Sequence, residues 1–212
     1  MRMSTFNKGK FITFEGIDGC GKSTQVKMLV EKLEQLKRDV ITIREPGGTR
    51  ISESIRDILL YRDTHELSER TEALLMTASR AQLTNEMILP ALEIGTWVIA
   101  DRYADSTLAY QGGGRQIDID SLEKLNKFAT YNTVPDLTIF IDISPEEGVR
   151  RQKTKLDRIE QAGIDFQIKV RDQYLKLAEK YSDRIVIING QDDIRTIHKN
   201  IWLEFKQRNL EN

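Results

Sequence analysis

The segment Gly16-Ile17-Asp18-Gly19-Cys20-Gly21-Lys22-Ser23-Thr24 decides the fold of this chain. Its first eight residues match the pattern G-x-x-x-x-G-K-[ST] in full, and they follow the apolar run Lys10–Glu15, which is typical of a buried strand. Glycines let the backbone wrap a phosphate with successive N–H groups, and the N-terminus of the next helix adds partial positive charge. The segment therefore predicts a nucleotide-phosphate loop, in which Lys22 reaches the phosphates and Ser23 contacts Mg²⁺.

Apolar runs and helical patterns alternate along the rest of the chain. The runs that predict strands are Lys10–Glu15, Val40–Arg44, Trp97–Asp101, Leu137–Asp142 and Ile185–Asn189. Helices are predicted from about Val26 to Leu36 and over Leu67–Ile94, Ser121–Tyr131, Pro145–Lys155, Ile164–Tyr181 and Asp192–Arg208, with Pro90 as a kink or stop. This alternation predicts an α/β fold of the P-loop type, with a five-stranded parallel sheet, helices on both faces, and ligands at the carboxyl ends of the strands.

The composition is that of an ordinary globular protein. The chain has 212 residues, 31% of them charged, and a net charge of −1, so we expect one domain over residues 1–212 and no nucleic-acid partner. Cys20 is the single cysteine, which excludes a disulfide within the chain and fits a reducing compartment; we interpret it as a small filler of the loop. The run Phe11–Phe14 is too short to span a membrane, so a cytoplasmic protein without a membrane partner is expected.

A cluster of cations at about residues 150–160, here called the lid segment, predicts a mobile basic lid. Its cations are Arg150, Arg151, Lys153, Lys155 and Arg158, and Arg151 and Lys155 share a face of the predicted helix. Phosphoryl transfer spreads negative charge over the phosphate oxygens, and a closing basic lid both neutralises that charge and excludes water. The alternative is a solvated helix face with internal ion pairs.

Two predicted strands end in an aspartate, and either carboxylate could organise Mg²⁺ through water. Asp101 is followed by Arg102, and an acid beside an arginine at the carboxyl end of a strand suits metal and phosphate together. We therefore favour Asp101 over Asp142, for which the alternative is a cap of the next turn.

Two classes of phosphate-loop protein fit this sequence poorly. No N-K-x-D motif follows a strand, since Asn126-Lys127 is followed by Phe128-Ala129, and a second lysine is absent from Glu15 to Asp18. These observations argue against a nucleotide switch and against an assembly ATPase. They favour a kinase of small molecules.

Six segments resemble the thymidylate kinase family, especially its bacterial members, over most of the chain from Phe11 to about Gly190. They are Phe14–Thr24 (FEGIDGCGKST), Arg44–Thr49 (REPGGT), Ala78–Gln82 (ASRAQ), Asp101–Tyr103 (DRY), Ala109–Arg115 (AYQGGGR) and Leu156–Glu160 (LDRIE). The resemblance implies ATP as phosphate donor, Mg²⁺, dTMP as acceptor, dTDP as product in dTTP biosynthesis, and a homodimer formed by packing helices.

The resemblance also implies residue roles. It makes Asp18 the partner of the acceptor's 3′-hydroxyl, Arg102 and Arg56 the clamp on its phosphate, and Arg80 the partner of the thymine edge. It places Glu45 in the segment that links the loop to the acceptor phosphate. Ser106, Thr107 and Gln111 face the base or the phosphate, and Tyr110 packs under the deoxyribose. For Tyr110 a simple core aromatic is the alternative, and the run Gly112–Gly114 is either a turn or a close approach to ligand.

The sequence departs from the family pattern in three places. Met76 stands where a phenylalanine usually stacks on thymine, and it shares a helix face with Arg80. Lys153 and Lys155 stand where arginines are common, and Gly19 lacks the arginine that some relatives carry in the loop. Catalytic cations are therefore predicted to be Lys22, Arg102, Arg151 and Arg158. Met76 also leaves open a different nucleoside or nucleoside monophosphate kinase.

Overall fold

The structure is a computed structural model and describes residues 9–60, 67–152 and 157–210. One parallel sheet has the strand order β2-β3-β1-β4-β5. The strands are β1 (Phe11–Glu15), β2 (Val40–Arg44), β3 (Trp97–Asp101), β4 (Leu137–Asp142) and β5 (Ile185–Asn189). All five predicted strands and their parallel pairing are confirmed, because runs of β-branched and aromatic residues form buried strands.

The helices connect these strands and cover both faces of the sheet. They are α1 (Lys22–Gln35), α2 (Arg50–Leu60), α3 (Glu69–Leu83), α4 (Leu89–Glu93), α5 (Ala104–Thr107), α6 (Ile119–Ala129), α7 (Pro145–Arg151), α8 (Ile164–Lys180) and α9 (Ile194–Gln207). Ile12 and Phe14 of β1 share an apolar cluster with Leu29 and Leu33 of α1, whereas Phe11 joins a second cluster. Alternate side chains of one strand thus bury against opposite layers.

The predicted long helix contains a wide turn. Ser68 caps α3, accepting a hydrogen bond from the amide of Thr71, and the chain then passes through a π-helical turn, Thr84–Ile88, into α4. Within that turn the amide of Leu89 donates to the carbonyl of Thr84, five residues back. Pro90 does not stop the helix, since it lies in the first turn of α4, a position that proline tolerates.

A second π-helical segment, Leu108–Gly114, contains the glycine run. A Cβ atom at Gly113 would lie 2.8 Å from the carbonyl oxygen of Lys169 in α8, and one at Gly114 would lie 2.3 Å from the ring of Phe166. The run lies in a helix rather than in a turn, and its glycines let this segment pack closely against α8.

The predicted helix Pro145–Lys155 is shorter in the structure. Helix α7 ends at Arg151, and Gln152 has an extended backbone with ψ 128°. Lys153 and Lys155 lie outside the described residues, and so does the helix face that Lys155 was predicted to share with Arg151. Across the described chain, every helix is too short or too polar to cross a membrane.

Candidate active site

A cavity of about 490 Å³ opens at the carboxyl ends of β1, β2 and β3. It brings together residues that are far apart in sequence, as expected for a parallel sheet. The predicted site residues that line it are Asp18, Gly19, Gly21, Lys22, Ser23, Thr24, Glu45, Arg56, Met76, Arg80, Asp101, Arg102, Ser106, Thr107, Tyr110 and Gln111. Gly16, Ile17, Cys20, Arg151 and Arg158 do not line it.

The phosphate loop takes the shape that its glycines allow. Gly16, Gly19 and Gly21 have φ angles of 137°, 82° and 98°, which side chains rarely permit. The ammonium of Lys22 lies inside the loop, 3.0 Å from the carbonyl oxygens of Gly16 and Ile17. Cys20 is fully buried behind the loop, and burial raises the pKa of its thiol, which fits the filler interpretation.

Gly19 also fixes the position of α7. A Cβ atom at Gly19 would lie 2.5 Å from the carbonyl oxygen of Gly148, and one at Gly148 would lie 2.8 Å from the carbonyl oxygen of Asp18. Loop and helix therefore meet backbone to backbone. The helix that precedes the lid segment thus rests directly on the phosphate loop.

Ser23 and Asp101 supply a pair of oxygen ligands that fits Mg²⁺. The Ser23 hydroxyl donates to Oδ2 of Asp101 at 2.7 Å, and both residues line the cavity. Mg²⁺ commonly takes one or two protein oxygens and completes its shell with phosphates and water. Within the described residues no group of three or more His, Cys, Asp or Glu side chains could hold a metal. Asp142 instead forms a two-bond ion pair with Arg171, at 2.7 and 2.8 Å.

Arg102 and Asp18 form the charged floor of the cavity. Nη2 of Arg102 lies 2.6 Å from Oδ1 of Asp18 and 2.9 Å from the hydroxyl of Tyr110, whose ring lies under the guanidinium. Burial alone would raise the pKa of Asp18, but the charge of Arg102, followed by that of Lys22, lowers it to about 2. Tyr110 is thus both a core aromatic and a cavity wall, with its hydroxyl bonded to Asp18 at 3.2 Å.

Glu15 supports this floor from below and was not predicted as a site residue. Its carboxylate accepts hydrogen bonds from the amide of Tyr103, the hydroxyl of Ser106 and the hydroxyl of Tyr174, at 2.8, 2.6 and 2.7 Å. Burial, with the charge of Asp105, raises the pKa of Glu15 to about 7. The sequence signal for Glu15 is an acid at the end of a fully buried strand.

The guanidinium of Arg80 is saturated by protein acceptors. Its five N–H groups bond to Glu45, to the hydroxyl of Thr107, to Oδ1 of Asn126 and to the carbonyl of Tyr103, at 2.6–2.9 Å. A hydrogen bond from Arg80 to a base must therefore be shared with one of these partners. Glu45 has its Oε2 on Arg80, and no described residue donates to its buried Oε1.

The wall opposite the loop carries Met76 and Gln111. Both line the cavity, and Nε2 of Gln111 donates to Oε1 of Glu72 at 2.9 Å. Glu72 lies one helical turn before Met76 and was also not predicted. Arg56 lies on the same rim of the cavity, where its guanidinium donates to the carbonyl of Pro46 at 2.7 Å.

The two lid arginines bind protein groups. Arg151 pairs with Glu147 and donates to the carbonyl of Gly190 at 2.9 Å, just after β5. Arg158 donates to the carbonyl of Leu59 at 2.9 Å and pairs with Glu72 at 2.6 Å. Arg158 therefore points toward Glu72, whereas its neighbours Asp157 and Ile159 line the cavity.

These features define an α/β phosphate-loop protein whose cavity also carries arginines from outside the loop, the arrangement expected of a kinase of small molecules. A sequence profile described as thymidylate kinase matches residues 14–201. The thymidylate kinase of Thermoanaerobacter sp. (strain X514) is 47% identical over 195 residues, covering 92% of this chain and 96% of the relative. That of Chlorobium limicola is 46% identical over 208 residues, covering 93% and 94%.

A solved structure agrees with the sequence relatives. The crystal structure of thymidylate kinase from Ehrlichia chaffeensis superposes with a TM-score of 0.79 at 32% identity, over 93% of this chain and 99% of that one. The chain belongs to the thymidylate kinase family. The family predicted from the sequence motifs is thereby confirmed.

Proposed function

We propose that this protein transfers the γ-phosphoryl group of ATP to dTMP, giving dTDP. Family membership supports the reaction. The observation that carries it is that two cations line one cavity, Lys22 from the phosphate loop and Arg102 from the end of β3, and that both lie against the carboxylate of Asp18. Two anions that repel each other need such an arrangement of separate cations in order to react.

The reaction is a direct in-line displacement. Lys22 neutralises the donor phosphates, and Arg102 and Arg56 neutralise the acceptor phosphate, which is already ionised near neutral pH and needs no general base. Ser23 and Asp101 hold Mg²⁺, which supplies positive charge to the phosphate oxygens when bound. Catalysis then depends on positioning the two phosphates and on placing positive charge where negative charge develops in the transition state.

The remaining cavity residues position the nucleoside of dTMP. Asp18, ionised and held by Arg102, accepts a hydrogen bond from the 3′-hydroxyl, and Tyr110 packs under the deoxyribose. Met76 packs on the thymine ring, and Gln111 and Arg80 face its edge, with Thr107 and Glu45 holding Arg80 in place. Ser106 links the acceptor-phosphate side to Glu15.

Arg151 and Arg158 supply the lid cations in this proposal. To act on the phosphates, Arg158 exchanges Glu72 and the carbonyl of Leu59 for a phosphate oxygen as the lid segment closes. Gly19 offers no cation in the loop, so the transition-state charge must be met from the lid segment.

A coupled assay with a panel of monophosphates tests the function. The purified protein should prefer dTMP strongly over AMP, GMP and UMP, with ATP as donor. A preference for any of those three would assign the protein to a different monophosphate acceptor, the alternative that Met76 keeps open. ATP hydrolysis that needs a protein partner and no phosphate acceptor would indicate a nucleotide switch.

We further propose that the protein is one domain over residues 1–212, acts in the cytoplasm and forms a homodimer. One sheet gathers strands from Phe11 to Asn189, which supports a single domain. Leu74 on α3 and Phe128 on the contacting helix α6 are 55% and 86% exposed, and exposed apolar side chains on two adjacent helices suit a second copy. Phe128→Asp should shift the mass in light scattering from dimer to monomer, whereas Leu203→Asp on α9 should not.

A further inference from the structure

The buried carboxylate of Glu72 lies behind the cavity wall rather than in it. Glu72 is 1% exposed, and it lies one and two helical turns before Met76 and Arg80 on α3. Three side chains donate to it: Gln111 at 2.9 Å, Arg115 at 3.2 and 3.3 Å, and Arg158 at 2.6 Å. Gln111 and Arg115 hold the carboxylate independently of Arg158, so Glu72 stays in place when Arg158 leaves it in the proposed lid closure.

Glu72 is ionised in this environment. Burial would raise its pKa, but hydrogen bonds from Gln111 and Arg115, the charge of Arg115 and a hydrogen bond from Arg158 lower it. An ionised carboxylate has acceptors only. The group that Gln111 presents to Glu72 must therefore be its NH2, and its oxygen Oε1 must point the other way.

The opposite side of Gln111 faces the cavity. Gln111 lines the cavity, and among the described residues none donates a hydrogen bond to its Oε1. Gln111 is 1% exposed, so its amide is held in a fixed place rather than free in solvent. With its NH2 group held by Glu72, Gln111 has its Oε1 left to offer as a hydrogen-bond acceptor to a ligand in the cavity.

We propose that Glu72 is a positioning residue that selects thymine over cytosine by fixing the orientation of the Gln111 amide. The inference rests on the proposed function. Thymine carries a donor at N3, which suits Oε1 of Gln111, whereas N3 of cytosine is an acceptor and meets Oε1 with repulsion. A site that holds a fixed acceptor discriminates strongly between these two edges, because the wrong base leaves buried groups unpaired.

The experiment compares kcat/KM for dTMP and for dCMP in matched variants. Glu72→Gln has nearly the same shape but offers a donor and an acceptor, so the Gln111 amide can turn over. The ratio of the two kcat/KM values should fall at least about tenfold. Glu72→Asp keeps an acceptor-only group and should keep the ratio, even where both rates fall.

Two further variants separate selectivity from structural damage. Arg115→Met removes a partner of Glu72 but leaves the Glu72–Gln111 bond, so the dTMP to dCMP ratio should stay at the wild-type value. Gln111→Met removes the amide and should lower the ratio to the level of Glu72→Gln. Adding Glu72→Gln to Gln111→Met should lower it no further, because both act through one group.

The proposal is overturned if folded Glu72→Gln keeps the wild-type ratio, or if the two substitutions lower the ratio additively. It is equally overturned if Gln111→Met keeps the ratio, an outcome that does not depend on Glu72→Gln folding. Thermal unfolding of each variant establishes folding. Failure of the proposed function is a different result, since the wild-type protein would then not prefer dTMP in the first place.

Discussion

Arg102, the residue after β3, and Asp18, within the phosphate loop, form an ion pair of 2.6 Å at the floor of the cavity. Arg102 has a left-handed backbone, with φ 75°, which few non-glycine residues adopt. The cation proposed for the acceptor phosphate is thus held by the loop proposed for the donor. The loop thereby sets the distance between the two anions that react.

Replacing Arg102 with lysine should weaken the acceptor site selectively. The backbone strain stays the same, but the single ammonium of lysine cannot contact Asp18, Tyr110 and a phosphate at once, as the planar guanidinium of arginine can. We expect kcat/KM for dTMP to fall about 10- to 100-fold, corresponding to about one lost charged hydrogen bond. Steady-state kinetics with each substrate varied will measure this, with exposed Arg195→Lys as control. An effect confined to the KM for ATP would contradict the assignment.

Replacing Lys22 with alanine should nearly abolish turnover. Its ammonium lies at the centre of the phosphate loop, where it neutralises charge that develops during transfer. Loss of one such group lowers kcat by about 100- to 1,000-fold. Lys27→Ala is the matched control, because Lys27 lies on the same helix with its side chain 79% exposed. Turnover in Lys22→Ala equal to that of the control would remove the loop from the mechanism.

The ion pair between Arg184 and Asp105 should stabilise the fold. Two hydrogen bonds of 2.7 and 2.8 Å join them, and the Asp105 side chain is 3% exposed. Arg184→Met leaves that carboxylate buried without its cation, so the free energy of unfolding should fall by about 3–5 kcal/mol in urea titrations. Arg150→Met, which breaks an exposed ion pair with Glu147, should leave the free energy of unfolding unchanged. Equal losses in the two variants would show that burial does not matter here.

Glu15 should give the protein a distinctive pH dependence of stability. Its pKa is about 7 in the fold, against an ordinary value of 4.5. Between these values the folded protein holds a proton that the unfolded chain has released, so stability falls as the pH rises from 4.5 to 7 and then levels off. The decrease is at most about 3 kcal/mol. Urea titrations at pH 5 and pH 7.5 should show this decrease in the free energy of unfolding for the wild type but not for Glu15→Gln. If both proteins lose the same stability, the proton belongs to another group.

The sheet and the loop were predictable because their causes are local. Runs such as Ile139–Ile141, rich in β-branched residues, favour buried strands, and the glycines of the loop leave few other conformations. The long helix was predicted, but not the π-helical turn at Thr84–Ile88, which leaves no periodic signal. Helix α2 was not predicted as an element, and the polar segment containing α5 shows no apolar period.

The cavity residues were predicted through family motifs, but their pairing was not. Glu72 and Arg158 lie 86 positions apart, and a single acid on an amphipathic helix gives no sign of the cation that it will meet. The saturation of Arg80 likewise depends on Asn126, which the sequence offered only as part of a helix. Such contacts are set by tertiary packing, so only a structure brings them together.

The backbone contact between Gly19 and Gly148 constrains how relatives of this protein can vary. A side chain at position 19 cannot be added while α7 stays where it is, because its Cβ would overlap a carbonyl of that helix. A homologue that carries an arginine at the position of Gly19 must therefore have shifted the helix aligned with α7 outward. The two positions should covary across evolution, and grafting the arginine alone into this chain should damage the loop rather than add a catalytic charge.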